Sequence, residues 1–123
     1  MTLPENATPR QVAESYWAAE CTRDVDAILA HYHEDAAFTV AGTHLVGHDQ
    51  IATFYASSGA QYPGLVLEIT HEVSNGPEAS LEWTAHLTDP AGKTVVLKGV
   101  NIIRVEGGKF RTVRAYFDPS AFD

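Results

Sequence analysis

The second half of the chain alternates apolar and polar residues with a period of two. Leu65, Leu67 and Ile69 alternate with acids and hydroxyl residues, and the same pattern recurs in later stretches. A period of two is typical of β-strands that bury one face and leave the other in water. We therefore predict four long antiparallel strands, over 65–73, 81–87, 94–105 and 109–118. A sheet of this kind needs a second layer over its apolar face.

The first half predicts that layer as helices. Thr8 is a good N-cap, Pro9 suits the first helical turn, and Gln11 completes a capping box, so we predict a helix that ends around Arg23. Asp24 caps a second helix with a buried stripe formed by Val25, Ile28, Leu29 and Tyr32.

A short strand pair and a third helix follow. The run 36–41 predicts a strand, and 44–46 can pair back on it after the turn at Gly42. Asp49 then caps a helix predicted to end at Gly59. The sum is an α+β fold with three helices packed on one face of a strongly curved sheet. With 123 residues and no linker or repeat, we predict a single domain over 1–123 with its core in 8–120.

Charge and composition exclude several classes of partner. The chain has 8 basic and 16 acidic residues, which disfavours binding to nucleic acid or to an anionic membrane surface. It has no apolar run of the roughly 18 residues that a membrane span needs, and its first residues do not resemble a secretory signal. Cys21 is the only cysteine, so no disulfide framework is expected. We predict a cytoplasmic protein.

Three segments carry a resemblance to a known family: SYWAAECTRDVDAILAHYHEDAAFTV, GHDQIATFYASS and VVLKGVNIIRVEGGKFRTVRAYFDP. They resemble the bacterial ketosteroid isomerases and the SnoaL-type polyketide cyclases of the nuclear transport factor 2-like (NTF2-like) superfamily. The resemblance covers residues 8–120. It implies the cone-shaped, cystatin-like roll of that superfamily, a homodimer, and chemistry that uses no metal or nucleotide cofactor.

The resemblance also implies site residues. The first-helix tyrosine that stabilises an oxyanion in ketosteroid isomerases matches Tyr16, and the two tyrosines that support it match Tyr32 and Tyr55. The acid of the family's fifth strand falls on Asn101, whose amide can still donate a hydrogen bond. The family's proton-transferring aspartate falls on Val40, which cannot accept a proton.

The residues themselves agree with part of this assignment. Tyr16 and Asn101 both lie where the local pattern is apolar, so both polar groups are expected to be buried. Because an unpaired buried polar group costs about 1–3 kcal/mol, they need either a closed structural network or a ligand. Gly99, which lacks a side chain, slightly favours the ligand.

Two residues are candidates for the missing base. Asp118 ends the last predicted strand in RAYFDP, and polyketide cyclases use an aspartate, although alternation places Asp118 on the outer face and a structural role at the strand end is the alternative. His71 is the histidine that alternation places on the inner face, where it could act as a general base near neutral pH. The other histidines lack metal-ligand spacing such as HExxH.

The expected function is that of an isomerase, cyclase or lyase acting on an uncharged, mostly apolar carbonyl compound, steroid-like or polyketide-like. The pocket wall is predicted to include Phe54, Leu67, Trp83, Ala115 and Phe117, although aromatic residues at this spacing more often form a core than a ligand site. The first alternative is a non-catalytic ligand-binding or assembly module, and the second is a closed scaffold without a cavity. The interior strand positions lack the Asp-Arg-Asp set of the limonene-epoxide-hydrolase relatives.

The apolar residues Val100 and Ile102 are predicted to lie on the outer face of the sheet, and they support the homodimer.

Overall fold

The computed structural model describes residues 3–122, so residues 1, 2 and 123 of the predicted domain lie outside the described part. The helices are α1 Pro9–Thr22, α2 Val25–Leu29 and α3 His48–Gln61. The strands are β1 Tyr32–Val40, β2 Thr43–Val46, β3 Gly64–Asn75, β4 Glu78–Thr88, β5 Thr94–Glu106 and β6 Lys109–Phe117, and a short 3-10 turn spans Pro119–Phe122. The predicted α+β class, with three helices on a curved sheet, is confirmed.

Local capping explains where the first two helices begin. The Thr8 hydroxyl accepts from the Gln11 amide at 3.1 Å, and the Gln11 side chain accepts from the Thr8 amide at 2.9 Å. This is the predicted capping box, which satisfies two backbone donors that a helix start leaves free. Asp24 caps α2 by accepting from the Ala27 amide at 3.3 Å, as expected. Arg23 ends α1 in the left-handed conformation, with φ of 63°.

Several expected boundaries were wrong: α3 ends at Gln61 rather than Gly59, and the first strand spans Tyr32–Val40 rather than 36–41. The third helix begins at His48 after Gly47, so Asp49 lies in its first turn and is not its cap. Tyr32 belongs to β1 rather than to the second helix, which ends at Leu29. A tyrosine four residues from Ile28 fits a helical stripe by spacing, but its backbone here pairs with Phe110 of β6.

The sheet is open and mixed, with the strand order β2-β1-β6-β5-β4-β3. Strands β3 to β6 form an antiparallel meander, and β1 joins it by pairing parallel with β6. The register of β3 against β4 shifts between Ile69 and His71. Such a bulge adds one residue to one strand and reverses which face the following side chains occupy.

The helices cover the inner face of the sheet and form one buried core with it. The largest fully buried side chains come from helices and strands alike: Val12, Ile28, Tyr32, Ile51, Tyr55, Leu81, Ile103, Phe110 and Val113. Toward one end, the helices and the inner face of β3 to β6 do not close completely on each other, and a cavity remains between them. No helix within residues 3–122 is both long and apolar enough to cross a membrane.

Candidate active site

The cavity has a volume of about 700 Å³ and lies between the helices and the inner face of the sheet. Most of the residues predicted for the site line it: Tyr16, Val40, Phe54, Tyr55, Leu67, Trp83, Asn101, Ala115 and Phe117. A volume of this size is within the range of small-molecule sites. The closed scaffold that the sequence left open as an alternative is therefore not what the chain forms.

Three buried tyrosines form a hydrogen-bonded chain at one side of the cavity. The hydroxyl oxygens of Tyr16 and Tyr55 are 2.5 Å apart, and those of Tyr55 and Tyr32 are 2.6 Å apart. The three hydroxyls thus meet although the residues come from α1, β1 and α3. Burial raises the pKa of Tyr16 and Tyr55 well above the ordinary tyrosine value, and that of Tyr32 is raised too, so all three stay protonated and can donate.

The chain of tyrosines ends on a carboxyl group that the sequence did not single out. Tyr16 donates to Glu20 Oε1 at 3.1 Å, and the Glu20 side chain is only 14% exposed and lines the cavity. Burial raises the pKa of the Glu20 carboxyl above its ordinary value, while Arg23 and the Tyr16 hydrogen bond oppose that shift. The available signal was the spacing: Glu20 follows Tyr16 by four residues, which places both on one face of α1.

Arg23 stands beside Glu20 and is held by the backbone. Its Nε and Nη2 atoms donate to the carbonyl oxygen of Tyr62 at 3.0 and 2.6 Å, and its Nη1 atom lies 3.9 Å from Glu20 Oε2. The side chain is 11% exposed, so one guanidinium joins the end of α1 to the residue that follows α3. The guanidinium of Arg23 is therefore held in place as the positive charge beside Glu20.

Asn101 lines the cavity from β5, and its amide has a defined orientation. The indole Nε1 of Trp83 donates to Asn101 Oδ1 at 2.9 Å. Since an indole N–H can only donate, the amide atom that it meets must be the oxygen. Within residues 3–122, Asn101 Nδ2 has no hydrogen-bond acceptor. The atom is nevertheless accessible, since no side-chain nitrogen or oxygen of these residues is both fully buried and unpaired, so its N–H groups are open to the cavity.

Gly99 has a different role from the one expected. A Cβ atom at this position would lie 2.6 Å from Cζ2 of Trp83 and 2.6 Å from the carbonyl oxygen of Tyr116. The missing side chain therefore makes room for the indole of Trp83 and not for a ligand. Indirectly it still serves the site, because that indole orients Asn101.

The interior position predicted for His71 is wrong. On β3, Ile69 pairs with buried Trp83, whereas His71 pairs with exposed Glu82. Directly paired residues share a face of the sheet, so the extra residue Thr70 in the bulge turns His71 outward. His71 is exposed and does not line the cavity.

Asp118 and Tyr32 also lie off the cavity wall. Asp118 is exposed, and its Oδ1 accepts from the Ser120 amide at 2.9 Å, which caps the last 3-10 turn. That hydrogen bond lowers the pKa of the Asp118 carboxyl. This is the structural role considered as the alternative. Tyr32 stands behind Tyr55 and reaches the site only through the Tyr55 hydroxyl.

Solved structures show how widespread this arrangement of helices and sheet is. TerC, crystallised with polyporic acid, is 23% identical, with a TM-score of 0.80 over 92% of this chain and 93% of that chain. A protein of Catenulispora acidiphila with a ketosteroid isomerase-like fold, in complex with trimethylamine, is 17% identical, with a TM-score of 0.82 over 94% and 90% of the two chains. These likenesses show the fold.

A protein of Shewanella denitrificans described as a SnoaL-like polyketide cyclase is 21% identical, with a TM-score of 0.81 over 92% of each chain. A search of the curated proteins found no match. The SnoaL-like domain family matches residues 13–113, which include most of the first helix, the tyrosine chain and the strand of Asn101. The resemblance drawn from the three sequence segments is thereby confirmed, and the chain belongs to the SnoaL-like domain family.

Proposed function

We propose that the cavity binds an uncharged, mostly apolar carbonyl compound and stabilises its enolate in an isomerase, cyclase or lyase reaction. The wall is mainly aromatic and aliphatic around the Tyr16 hydroxyl and the Asn101 amide. Its other polar and charged residues include Glu20, Arg23, Ser57, Ser58, Gln61 and Asp89. A steroid-like or polyketide-like molecule suits this chemistry. The ligands of structural neighbours, polyporic acid and trimethylamine, support a small-molecule site in this fold.

The observation that carries the proposal is the hydrogen bond from Trp83 to Asn101. It leaves the amide oxygen occupied and the amide N–H groups directed to the cavity. A fixed donor in an apolar site stabilises a developing oxyanion without having to reorient during the reaction. Valine at position 40, buried in the same wall, leaves that part of the cavity without a proton acceptor.

A titration with a phenol that mimics an enolate tests the donor. Trp17 and Trp83 line the cavity and report binding by their fluorescence. We expect Asn101→Leu to weaken binding of the phenolate by about ten- to a hundred-fold, since a hydrogen bond to a charged group contributes about 1.5–3 kcal/mol. Asn75→Leu, the same change at an exposed residue, serves as control. Equal affinities of Asn101→Leu and the native protein would refute the oxyanion site.

A non-catalytic binding module is the second candidate, and Val40 favours it. Val40 is 5% exposed on the cavity wall at the position that carries the base in ketosteroid isomerases. A module that has lost the base but kept the cavity predicts that Val40→Asp gains isomerase activity on a β,γ-unsaturated ketone. Activity of the native protein on such a ketone would contradict this second candidate.

We also propose that two copies pair through the outer face of the sheet. Val66, Val96 and Tyr116 are 67%, 51% and 50% exposed there, and Val100 and Ile102 lie half-buried among them. This face carries acids on β3 and β4 and basic residues on β5 and β6, namely Glu68, Glu82, Lys98 and Arg114. A two-fold axis can place the acidic half of one copy on the basic half of the other.

Sedimentation velocity tests the pairing. We expect a dimer for the native protein and a monomer for Val96→Glu, which places a charge in the apolar patch. Val46→Glu, the same change at a residue of β2 that is 47% exposed, is the matched control. A native monomer would refute the dimer.

Two further expectations remain part of this proposal. We place the protein in a reducing cytoplasm, which its single cysteine, Cys21, supports. We also propose a single domain over 1–123 with its core in 8–120. The continuous buried core that joins α1, α3 and all the inner strands supports that extent.

A further inference from the structure

We propose that Glu20 is the proton-transfer group of the cavity, and that its protonation releases the Tyr16 hydroxyl to donate to the ligand's oxyanion. The inference rests on the proposed function and extends it: it assigns the base that position 40 does not provide. Glu20 has access to the ligand space, because its side chain lines the same cavity as Asn101 and Val40.

The count of hydroxyl protons gives the tyrosine chain a direction. Each phenol has one proton to donate. Tyr16 donates its proton to Glu20, so Tyr55 must donate to Tyr16, and Tyr32 must donate to Tyr55. All three protons thus point toward Glu20. While Glu20 is ionised, no tyrosine proton is left for a ligand.

Protonation of Glu20 removes this constraint. A neutral carboxyl is a weaker acceptor than a carboxylate, and its own O–H can donate to the Tyr16 oxygen. The Tyr16 proton then becomes available to an anionic oxygen in the cavity. Proton uptake by Glu20 and stabilisation of the oxyanion are therefore coupled in one step.

The groups that face Glu20 permit this role. Arg23 is the cation beside it, and the hydroxyls of Tyr16, Tyr55 and Tyr32 follow on the other side. Cys21 of the same helix is a further titratable neighbour. Asp89 lines the cavity, but its Oδ1 accepts from the backbone amides of Ala91 and Lys93 in a turn. Burial raises the pKa of Glu20, which brings the carboxyl closer to a general base's working range.

The step balances without a further reactant. The Glu20 carboxylate takes a proton from the carbon next to the ligand's carbonyl. The electron pair of the broken C–H bond forms the new C=C bond, and the carbonyl π pair moves to oxygen, where Asn101 and Tyr16 donate. Return of the proton from Glu20 to a carbon of the enolate restores the carboxylate.

Proton uptake on binding tests the assignment without any substrate. The probe is 4-nitrophenol at a pH above its own pKa, where it is free as the coloured anion. Calorimetry in buffers of different ionisation enthalpy counts the protons taken up, and absorbance shows whether the bound probe is ionised. The native protein is expected to bind the anion and take up about one proton, because burying two anions together is unfavourable.

Glu20→Gln is neutral and close in size, so it is expected to bind the same anion with no proton uptake and at least equal affinity. Glu14→Gln, at an exposed carboxylate of the same helix, should behave like the native protein. Binding by the native protein without uptake, or uptake that persists in Glu20→Gln, would overturn the role of Glu20 and leave the oxyanion site intact. No binding by the native protein would overturn the proposed function itself.

Arg23→Gln provides a second test should Glu20→Gln fail to fold. Loss of the nearby positive charge raises the pKa of Glu20 further, so the pH range in which binding takes up a proton should move upward. An unchanged range would show that another group takes the proton, and would overturn the assignment.

Discussion

The direction of the tyrosine chain predicts unequal costs for two substitutions that look alike. Tyr32 and Tyr55 are 1% and 2% exposed, and each loses one hydroxyl on replacement by phenylalanine. Tyr55→Phe breaks the hydrogen bonds to both Tyr16 and Tyr32 and leaves the Tyr32 proton without an acceptor. Tyr32→Phe breaks one bond, and Tyr55 can still donate to Tyr16.

The loss of unfolding free energy depends on whether the substitution leaves a buried hydroxyl proton without an acceptor. One lost hydrogen bond costs about 0.5–1.5 kcal/mol, and a buried donor left unpaired costs about 1–3 kcal/mol. We therefore expect Tyr32→Phe to lower the free energy of unfolding by about 1 kcal/mol and Tyr55→Phe by about 2–3 kcal/mol. With an m-value near 2 kcal/mol/M, the urea midpoints should fall by roughly 0.5 and 1–1.5 M.

Urea unfolding followed by tryptophan fluorescence measures both variants. Tyr116→Phe, at a tyrosine that is 50% exposed, is the control and should stay within about 0.5 kcal/mol of the native protein. If Tyr32→Phe costs as much as Tyr55→Phe or more, the protons do not run toward Glu20, and the inferred direction is wrong.

Three other predictions concern the orienting indole, a buried histidine and the two rejected bases. Gly99→Ala should destabilise the fold by about 1–3 kcal/mol in urea unfolding, because the added methyl overlaps Trp83; a neutral effect would contradict the close packing. Burial lowers the pKa of His31 below 6.5. The unfolded state thus binds the proton more readily, and stability should be complete above about pH 6.5 and fall as pH drops toward the folded-state pKa. His31→Gln should flatten that dependence in urea titrations across pH, and an equal slope in both proteins would contradict it. Asp118→Ala and His71→Ala should bind phenols as the native protein does, since both side chains lie off the cavity wall; weakened binding would return either residue to the site.

Much of the fold could be predicted because the sequence patterns that indicate it involve residues close together in the chain. The capping box at Thr8 and Gln11 depends on residues three apart. The strands follow from a period of two, and the burial of Asn101 follows from its place within that period. Where the local pattern had an irregularity, the prediction failed: one extra residue at Thr70 reversed the face of His71.

The site depends on contacts between residues far apart in the chain, which no local pattern encodes. Tyr16 and Tyr55 meet across 39 positions, and Tyr32 joins them from a strand that spacing alone had assigned to a helix. Glu20 shows the difference most clearly. An acid on a helix usually faces water, but this one is buried beside Arg23, which binds the distant carbonyl of Tyr62.

The sequence by itself therefore determined most of the elements and most of the inner face, including the positions of Tyr16, Tyr55 and Asn101, since these depend on neighbours along the chain. Only the tertiary structure decided that these three residues line an open cavity, that Trp83 orients Asn101, and that a buried carboxyl ends the tyrosine chain. The reason is physical: the solvation of a polar group, and so its charge and its hydrogen bonds, is set by whatever packs around it in space.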